Sequence, residues 1–231
     1  MEISGSRILL AGATGVIGGK LAEALSENGA RLFLAGRDPG ALASIGERLQ
    51  SETVVLDYSE PESVAGAVEA AIAGLGGLDV VVVATGAVAF GEARDLDPEV
   101  LTRLIEANAT GPMHLISESL KRLEPGGSIV AITAVVAEFP TAGMAAYSAS
   151  KASLAAFLSA LRREVRRQFT VLEVSPGHME TGFAGRALAG EPPAMPEPED
   201  VDELVGVIVQ SMIDGRREIR YDIRSRELQV K

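Results

Sequence analysis

The stretch ILLAGATGVIGGKLAEAL, residues 8–25, joins an apolar run to an amphipathic one through Gly12, Gly15 and Gly18, spaced three apart. After Arg7, residues 7–11 (RILLA) are apolar on successive positions, the pattern of a strand covered on both faces. Residues 19–28 (GKLAEALSEN) carry apolar side chains at helical spacing, and Gly29 reads as a left-handed residue closing the helix. Glycines between a strand and a helix let the backbone turn tightly. They also let it approach a pyrophosphate at the helix N-terminus, where unpaired N–H groups and the helix dipole favour an anion. A purely structural turn would use the same glycines, so the rest of the chain decides.

Outward from this unit the same alternation recurs. RLFLA (31–35), TVVLD (53–57), DVVVVA (79–84), SIVAIT (128–133) and FTVLEV (169–174) read as strands. Residues 40–50, 61–75, 97–123 and 148–168 read as helices, with Pro61 and Pro98 near helix starts, where proline is tolerated. A last helix, about Val201 to Ile213, and a short strand EIRYD (218–222) complete the series. Strands that alternate with helices and join by right-handed crossovers predict an α/β fold: one Rossmann-like, doubly wound parallel sheet of about seven strands with helices on both faces. Residues 1–231 are expected to form one dinucleotide-binding domain. AGEPPAMPEPED (189–200) reads as an exposed loop, either near the site or a spacer.

Composition narrows the function. With 47% hydrophobic and 23% charged residues, the chain has the makeup of a well-buried globular protein. It has no Cys and two His, His114 and His178, which argues against disulfides, a thiol nucleophile and a His-based metal site. A net charge of −11 disfavours nonspecific attraction to nucleic acid or anionic lipid. No secretory pattern or long apolar run is present, so a cytoplasmic protein is expected.

Two further stretches carry chemistry. At the tip of the second strand, Arg37 in LFLAGRD is placed to bind a ribose 2′-phosphate, favouring NADP(H) over NAD(H); an ion pair with Asp38 is the competing reading. Asp57, after the third strand, is either an adenine contact or a loop cap. In YSASK, Tyr147 and Lys151 lie four apart, hence on one face of a helix. There an ammonium near a phenol would favour the phenolate and make a proton donor or acceptor.

These motifs, in this order along nearly the whole chain, resemble the short-chain dehydrogenase/reductase superfamily. The resemblance makes Gly12, Thr14, Gly15, Val16, Ile17 and Gly18 the coenzyme loop and sets Asp57 and Tyr58 beside adenine. Thr85 and Gly86 follow the fourth strand, and Pro176, Gly177, Met179 and Thr181 in SPGHMET wrap the nicotinamide. Tyr147, Lys151 and Asn108 become the catalytic residues, with Lys151 lowering the Tyr147 pKa and Asn108 ordering a water between Lys151 and solvent. A homodimer or homotetramer through the helices beginning near Asp97 and Tyr147 is implied as well.

The departures from the family pattern bear on activity. The G-x-x-G-x-x-G spacing resembles extended and atypical branches, while the short chain and the Tyr–Lys pair resemble the compact oxidoreductases. VATG stands where the family usually has Asn-Asn-Ala-Gly. The serine expected thirteen positions before the tyrosine is Ala134. Thr133, Thr141, Ser148 and Ser150 are the nearby hydroxyls, and strand alternation points Thr133 away from its neighbour's side. The reading is an NADP(H)-dependent oxidoreductase interconverting a small-molecule carbonyl compound and a secondary alcohol. The alternatives are a noncatalytic NADP-binding sensor and, on glycine spacing alone, an epimerase- or dehydratase-like enzyme.

Overall fold

Runs of successive apolar residues become parallel strands because each face of the sheet has its own helix layer to cover it. The computed structural model describes residues 1–231 apart from the side chain of Pro61. Its strands are β1 (Arg7–Ala11), β2 (Arg31–Gly36), β3 (Glu52–Val55), β4 (Val80–Val83), β5 (Ser128–Ile132), β6 (Thr170–Ser175), β7 (Glu218–Asp222) and β8 (Glu227–Val230). Between them run α1 (Val16–Glu27), α2 (Pro39–Leu49), α3 (Pro61–Leu75), α4 (Pro98–Ile105), α5 (Gly111–Leu120), α6 (Ala145–Glu164) and α7 (Val201–Asp214).

The sheet order is β3-β2-β1-β4-β5-β6-β7-β8, parallel except for the β7–β8 pair. Within β1, Ile8 and Leu10 join a core shared with α1, α2 and α7, while Leu9 and Ala11 join one shared with α3, α5 and α6. That division explains why both sets of positions are apolar. β1 lies between β2 and β4, so the connections diverge there, and the crevice beyond the carboxyl ends of the strands is where such a sheet takes its ligand. Among the described residues no helix is long and apolar enough to cross a membrane.

Two elements differ from expectation. The sheet has eight strands rather than about seven, because ELQV (227–230) folds back antiparallel on β7. Its turn holds Arg226 at φ +59°, and Leu228 is the one β8 residue packed against the core, so no apolar run announces the strand. The helix expected over 97–123 is interrupted by a π turn at Glu106–Thr110. Pro112 has no N–H to continue the ladder, and Gly111 N donates instead to Glu106 O, five residues back. Gly111 also has no room for a side chain, since a Cβ there would lie 2.2 Å from the Tyr58 ring.

Candidate active site

A cleft of about 830 Å³ opens at the carboxyl ends of the strands. Gly12, Thr14, Gly15, Val16, Ile17 and Gly18 form one wall, with Arg37, Asp57 and Tyr58 on one flank. Thr85, Gly86, Tyr147 and Lys151 lie further along it, followed by Pro176, Gly177, Met179 and Thr181. Of the residues singled out in the sequence for cofactor and catalysis, Asn108 is the one that does not line the cleft.

The glycine loop is built by close packing. Gly12 has φ +91°, and a Cβ there would stand 2.6 Å from the Ala84 carbonyl carbon; one at Gly18 would stand 2.1 Å from Gly12 O. A side chain at either position would push the loop off the strand. Asp38, Asp97 and Asp200 cap α2, α4 and α7, whereas α1, like α3 and α6, has no side-chain cap; its N-cap is Gly15, and its first turn faces the cleft. Orphan N–H groups at a helix start, with no carboxylate over them, fit an anionic pyrophosphate.

On the β2–β3 flank, Asp38 Oδ1 accepts from Gly40 N at 2.8 Å and Ala41 N at 3.0 Å, so this carboxylate is spent on the helix cap rather than on Arg37. Arg37 is exposed at the cleft edge, with no ion-pair partner among the described residues. Asp57 Oδ1 accepts from Ser59 N at 3.0 Å and Ser59 Oγ at 2.8 Å, and these bonds, with a smaller contribution from the Arg37 charge, hold its pKa below the ordinary carboxylate value. Asp57 is therefore a loop cap that also borders the cleft. Tyr58 lies 3.2 Å from Thr85 Oγ1 through its hydroxyl, and burial raises its pKa.

Tyr147 and Lys151 stand one turn apart on α6, both buried and both facing the cleft. Their electrostatics differ from the sequence expectation. Burial raises the Tyr147 pKa and pushes Lys151 down to about 8. Lys151 Nζ donates to Ile132 O at 3.2 Å instead of to the phenol, and desolvation outweighs any help from the neighbouring cation. Tyr147 is consequently a protonated hydroxyl at neutral pH, and Lys151 titrates near it.

Asn108 lies beneath the pair, fully buried in the π turn. Its Oδ1 accepts from Ala87 N at 2.9 Å, while its Nδ2 donates to Ala87 O at 2.8 Å and to Ser150 Oγ at 3.0 Å. Gly86 fits between Asn108 and Lys151: a Cβ at Gly86 would stand 3.1 Å from Asn108 Oδ1 and 3.3 Å from Lys151 Nζ.

Ala134 lines the cleft with extended backbone, φ −169°. Thr133 does not substitute for the missing hydroxyl, since its Oγ1 donates to Glu173 Oε1 and Val174 O, both at 3.2 Å, on the α6 side of the sheet. Ser150 is committed to Asn108 and to Tyr147 O, and Ser148 is buried away from the cleft. Thr141 does reach the cleft.

Sequence reasoning missed much of the far flank, where Phe139, Arg186, Met195, Ile223 and Arg226 line the cleft. Met195 belongs to the proline-rich 189–200 segment, which thus borders the site rather than serving as a spacer.

A short chain dehydrogenase family model matches residues 6–191. Dehydrogenase/reductase SDR family member 7B of Bos taurus is 29% identical over 80% of this chain, which spans 61% of that protein's length. An uncharacterized oxidoreductase of Staphylococcus saprophyticus is 27% identical, covering 88% of this chain and 90% of its own. Among solved structures, a short chain dehydrogenase/reductase from Burkholderia phymatum in complex with NAD has a TM-score of 0.86 at 19% identity, covering 94% of this chain and 89% of that one. A short chain dehydrogenase from Burkholderia cenocepacia in complex with NADP has a TM-score of 0.78 at 24% identity, covering 91% of each chain. At these identities the two structures share the fold.

Proposed function

The chain belongs to the short-chain dehydrogenase family, and on that premise we propose that it is an NADP(H)-dependent oxidoreductase interconverting a carbonyl compound and a secondary alcohol. The observation that carries the reading is the Tyr147 hydroxyl. It is protonated, it faces the cleft, and it stands one helical turn from a lysine that titrates near neutrality. Residues 1–231 act as one cofactor-binding domain. The glycine loop and α1 start would hold the pyrophosphate and Arg37 the 2′-phosphate, while Pro176, Gly177, Met179 and Thr181 would border the nicotinamide. Cofactor-bound neighbours in the fold, one with NAD and one with NADP, support a nicotinamide nucleotide here.

When bound, the reduced nicotinamide supplies hydride to the carbonyl carbon. Tyr147 donates its proton to the carbonyl oxygen as that atom becomes an alkoxide. Lys151, with a pKa of about 8, is matched to return a proton to Tyr147 near neutral pH. Asn108 holds the Ala87 backbone against Ser150 and thereby keeps α6 in register with the β4 loop. In the reverse direction Tyr147 passes its own proton to neutral Lys151 as it accepts the proton of the alcohol.

The small-molecule substrate is turned over by a homodimer or homotetramer. Ala145, Ala149, Ser153, Ala156 and Ala160 form an exposed small-residue face on α6, suited to close helix packing, and Leu101 of α4 is exposed as well. A single monomeric species at micromolar concentration in sedimentation would overturn this part. A reducing cytoplasmic setting fits a chain without cysteine.

The test is NADPH oxidation across a carbonyl panel by wild type and Tyr147→Phe. Turnover should be lost in the variant with NADPH affinity retained; equal turnover would refute the role of Tyr147. A noncatalytic nucleotide sensor is the second reading. It is favoured by the missing hydroxyl at Ala134 together with the commitment of Thr133 to Glu173. NADPH binding without turnover of any panel member, even in Ala134→Ser, would favour it.

A further inference from the structure

Charge is divided unevenly around the cleft. The chain carries 32 acidic residues against 21 basic ones, yet every carboxylate lining the cleft, Asp38, Asp57 and Glu106, comes from the β2, β3 and π-turn side. From Ile132 onward the described lining residues include no Asp or Glu, but they do include Lys151, Arg186 and Arg226. Lys151 is buried beside Tyr147, and Arg186 is drawn onto the neighbouring turn, its Nη2 donating to Thr181 O at 3.3 Å. Arg226 has no ion pair among the described residues. Its nearest acids in the chain are Asp222 and Glu227. Asp222 accepts from Arg224 N at 2.7 Å and from Gln229 Nε2 at 2.6 Å, so its carboxylate is spent on the turn, and Glu227 is exposed at the start of β8.

Arg226 is held in the β7–β8 turn through its backbone. Its own N–H donates to Asp222 O at 2.8 Å, closing the β7–β8 turn. β7 runs parallel to β6, so this turn lies at the same edge of the sheet as Arg37, but on the opposite flank. The two arginines therefore serve different ends of whatever fills the cleft. The lining from Ile132 onward also carries large exposed apolar side chains: Phe139 is 52% exposed, Ile223 48% and Met195 36%. Large apolar side chains left open at a concave site are placed to be covered by a ligand. Met195, Ile223 and Arg226 all lie beyond residue 191, where the family match ends, so this flank belongs to the chain's own C-terminal region.

We propose that the β7–β8 turn recognises an anionic end of the substrate: Arg226 binds a carboxylate on a carbonyl compound whose apolar body lies over Phe139, Met195 and Ile223 while its carbonyl faces Tyr147. The fork of a guanidinium matches a carboxylate in two parallel hydrogen bonds. The cleft thus takes an amphipathic oxo acid rather than a neutral ketone. This rests on the reading of Tyr147 as the proton donor, and the experiment separates the two.

The probes are methyl-ketone acids of graded chain length and their methyl esters, with NADPH and wild type, Arg226→Ala, Arg226→Lys and Arg186→Ala. In wild type, the acid of best length should exceed its ester in kcat/KM by roughly tenfold or more, the scale of one charge-assisted contact. Arg226→Ala should bring that ratio toward one through KM, and Arg226→Lys should restore part of it; NADPH affinity serves as the folding control. An ester handled as well as the acid, or a ratio that survives Arg226→Ala and collapses in Arg186→Ala, overturns the assignment. If neither acid nor ester is reduced, even by Ala134→Ser, the sensor reading gains, and calorimetry of the acid with the NADPH complex decides the anion site by itself. Binding weakened at least tenfold by Arg226→Ala sustains it; no binding, or binding indifferent to the variant, overturns it.

Discussion

Asn108 Nδ2 lies 3.0 Å from Ser150 Oγ, and that hydroxyl in turn donates to Tyr147 O at 2.7 Å. The π turn is thereby fastened to the first turns of α6, between the two residues proposed to carry the chemistry. Asn108 also closes two hydrogen bonds on Ala87, so its side chain satisfies three buried groups at once.

Removing these partners should have unequal effects. Ser150→Ala deletes one buried hydrogen bond of Asn108 and should cost about 1 kcal/mol. Asn108→Ala leaves the N–H and C=O of Ala87 buried without partners, at about 1–3 kcal/mol for each group. Urea unfolding of the two variants should separate them by at least about 1 kcal/mol. Equal losses would mean that Asn108 is not the clamp between the β4 loop and α6.

The proposed preference for NADP(H) rests on Arg37. Asp38 is engaged as the α2 cap and the Asp57 carboxylate is held by Ser59, so both nearby acids are occupied while the guanidinium stays exposed at the cleft edge. Wild type should bind NADPH more tightly than NADH by roughly tenfold or more, and Arg37→Asp should erase or reverse the preference. Titrations at matched ionic strength check it. Equal wild-type affinities would show that Arg37 does not hold a 2′-phosphate.

What could be read in the sequence and what could not divide along physical lines. Strands such as VVVV (80–83) are buried on both faces, so their runs are unbroken and the parallel sheet was legible. The glycine loop was legible because Gly12 and Gly18 have no room for a Cβ, and β8 was not, because only Leu228 of its four residues packs on the core. The break at Glu106–Thr110 hid inside a helical pattern, since a π turn adds one residue without removing the apolar stripe. Tyr147 and Lys151 were readable as neighbours from helical spacing, but their charge states depend on burial, which spacing does not report. Phe139, Ile223 and Arg226 lie outside regular elements and reach the cleft through loop conformation alone, so no periodicity marks them.

The missing hydroxyl offers a gain-of-function test. Ala134 borders the cleft and packs near Tyr147, while Thr133 is turned toward Glu173. Ala134→Ser would add a donor on the cleft side, and one preorganised donor to a developing oxyanion is worth roughly 10²–10³-fold in rate. With a substrate already turned over by wild type, kcat should rise by at least roughly tenfold, with NADPH affinity unchanged. A flat kcat would show that the carbonyl oxygen does not lie near residue 134.

Lys151 links the site to stability through pH. Its ordinary value is 10.5, and burial brings it to about 8 in the folded protein. Between those values the unfolded chain holds a proton that the folded chain lacks, so folding becomes more favourable as pH rises. Below about pH 8 both states are protonated, and the folded state bears the full cost of a buried ammonium. The slope from one such group is at most about 1.4 kcal/mol per pH unit. Tyr147 acts in the opposite sense only above its unfolded pKa of about 10, because its folded pKa is raised, so measurements kept below that pH isolate the lysine. Lys151→Met keeps the apolar stem and removes the titration. Urea unfolding at about pH 7.5 and about pH 9.5 should show the wild type gaining on the variant by about 1–2 kcal/mol over that interval. A difference that stays flat, or moves toward the variant, would mean that Lys151 keeps its proton in the folded protein, and its role as a proton relay near neutral pH would fall with it.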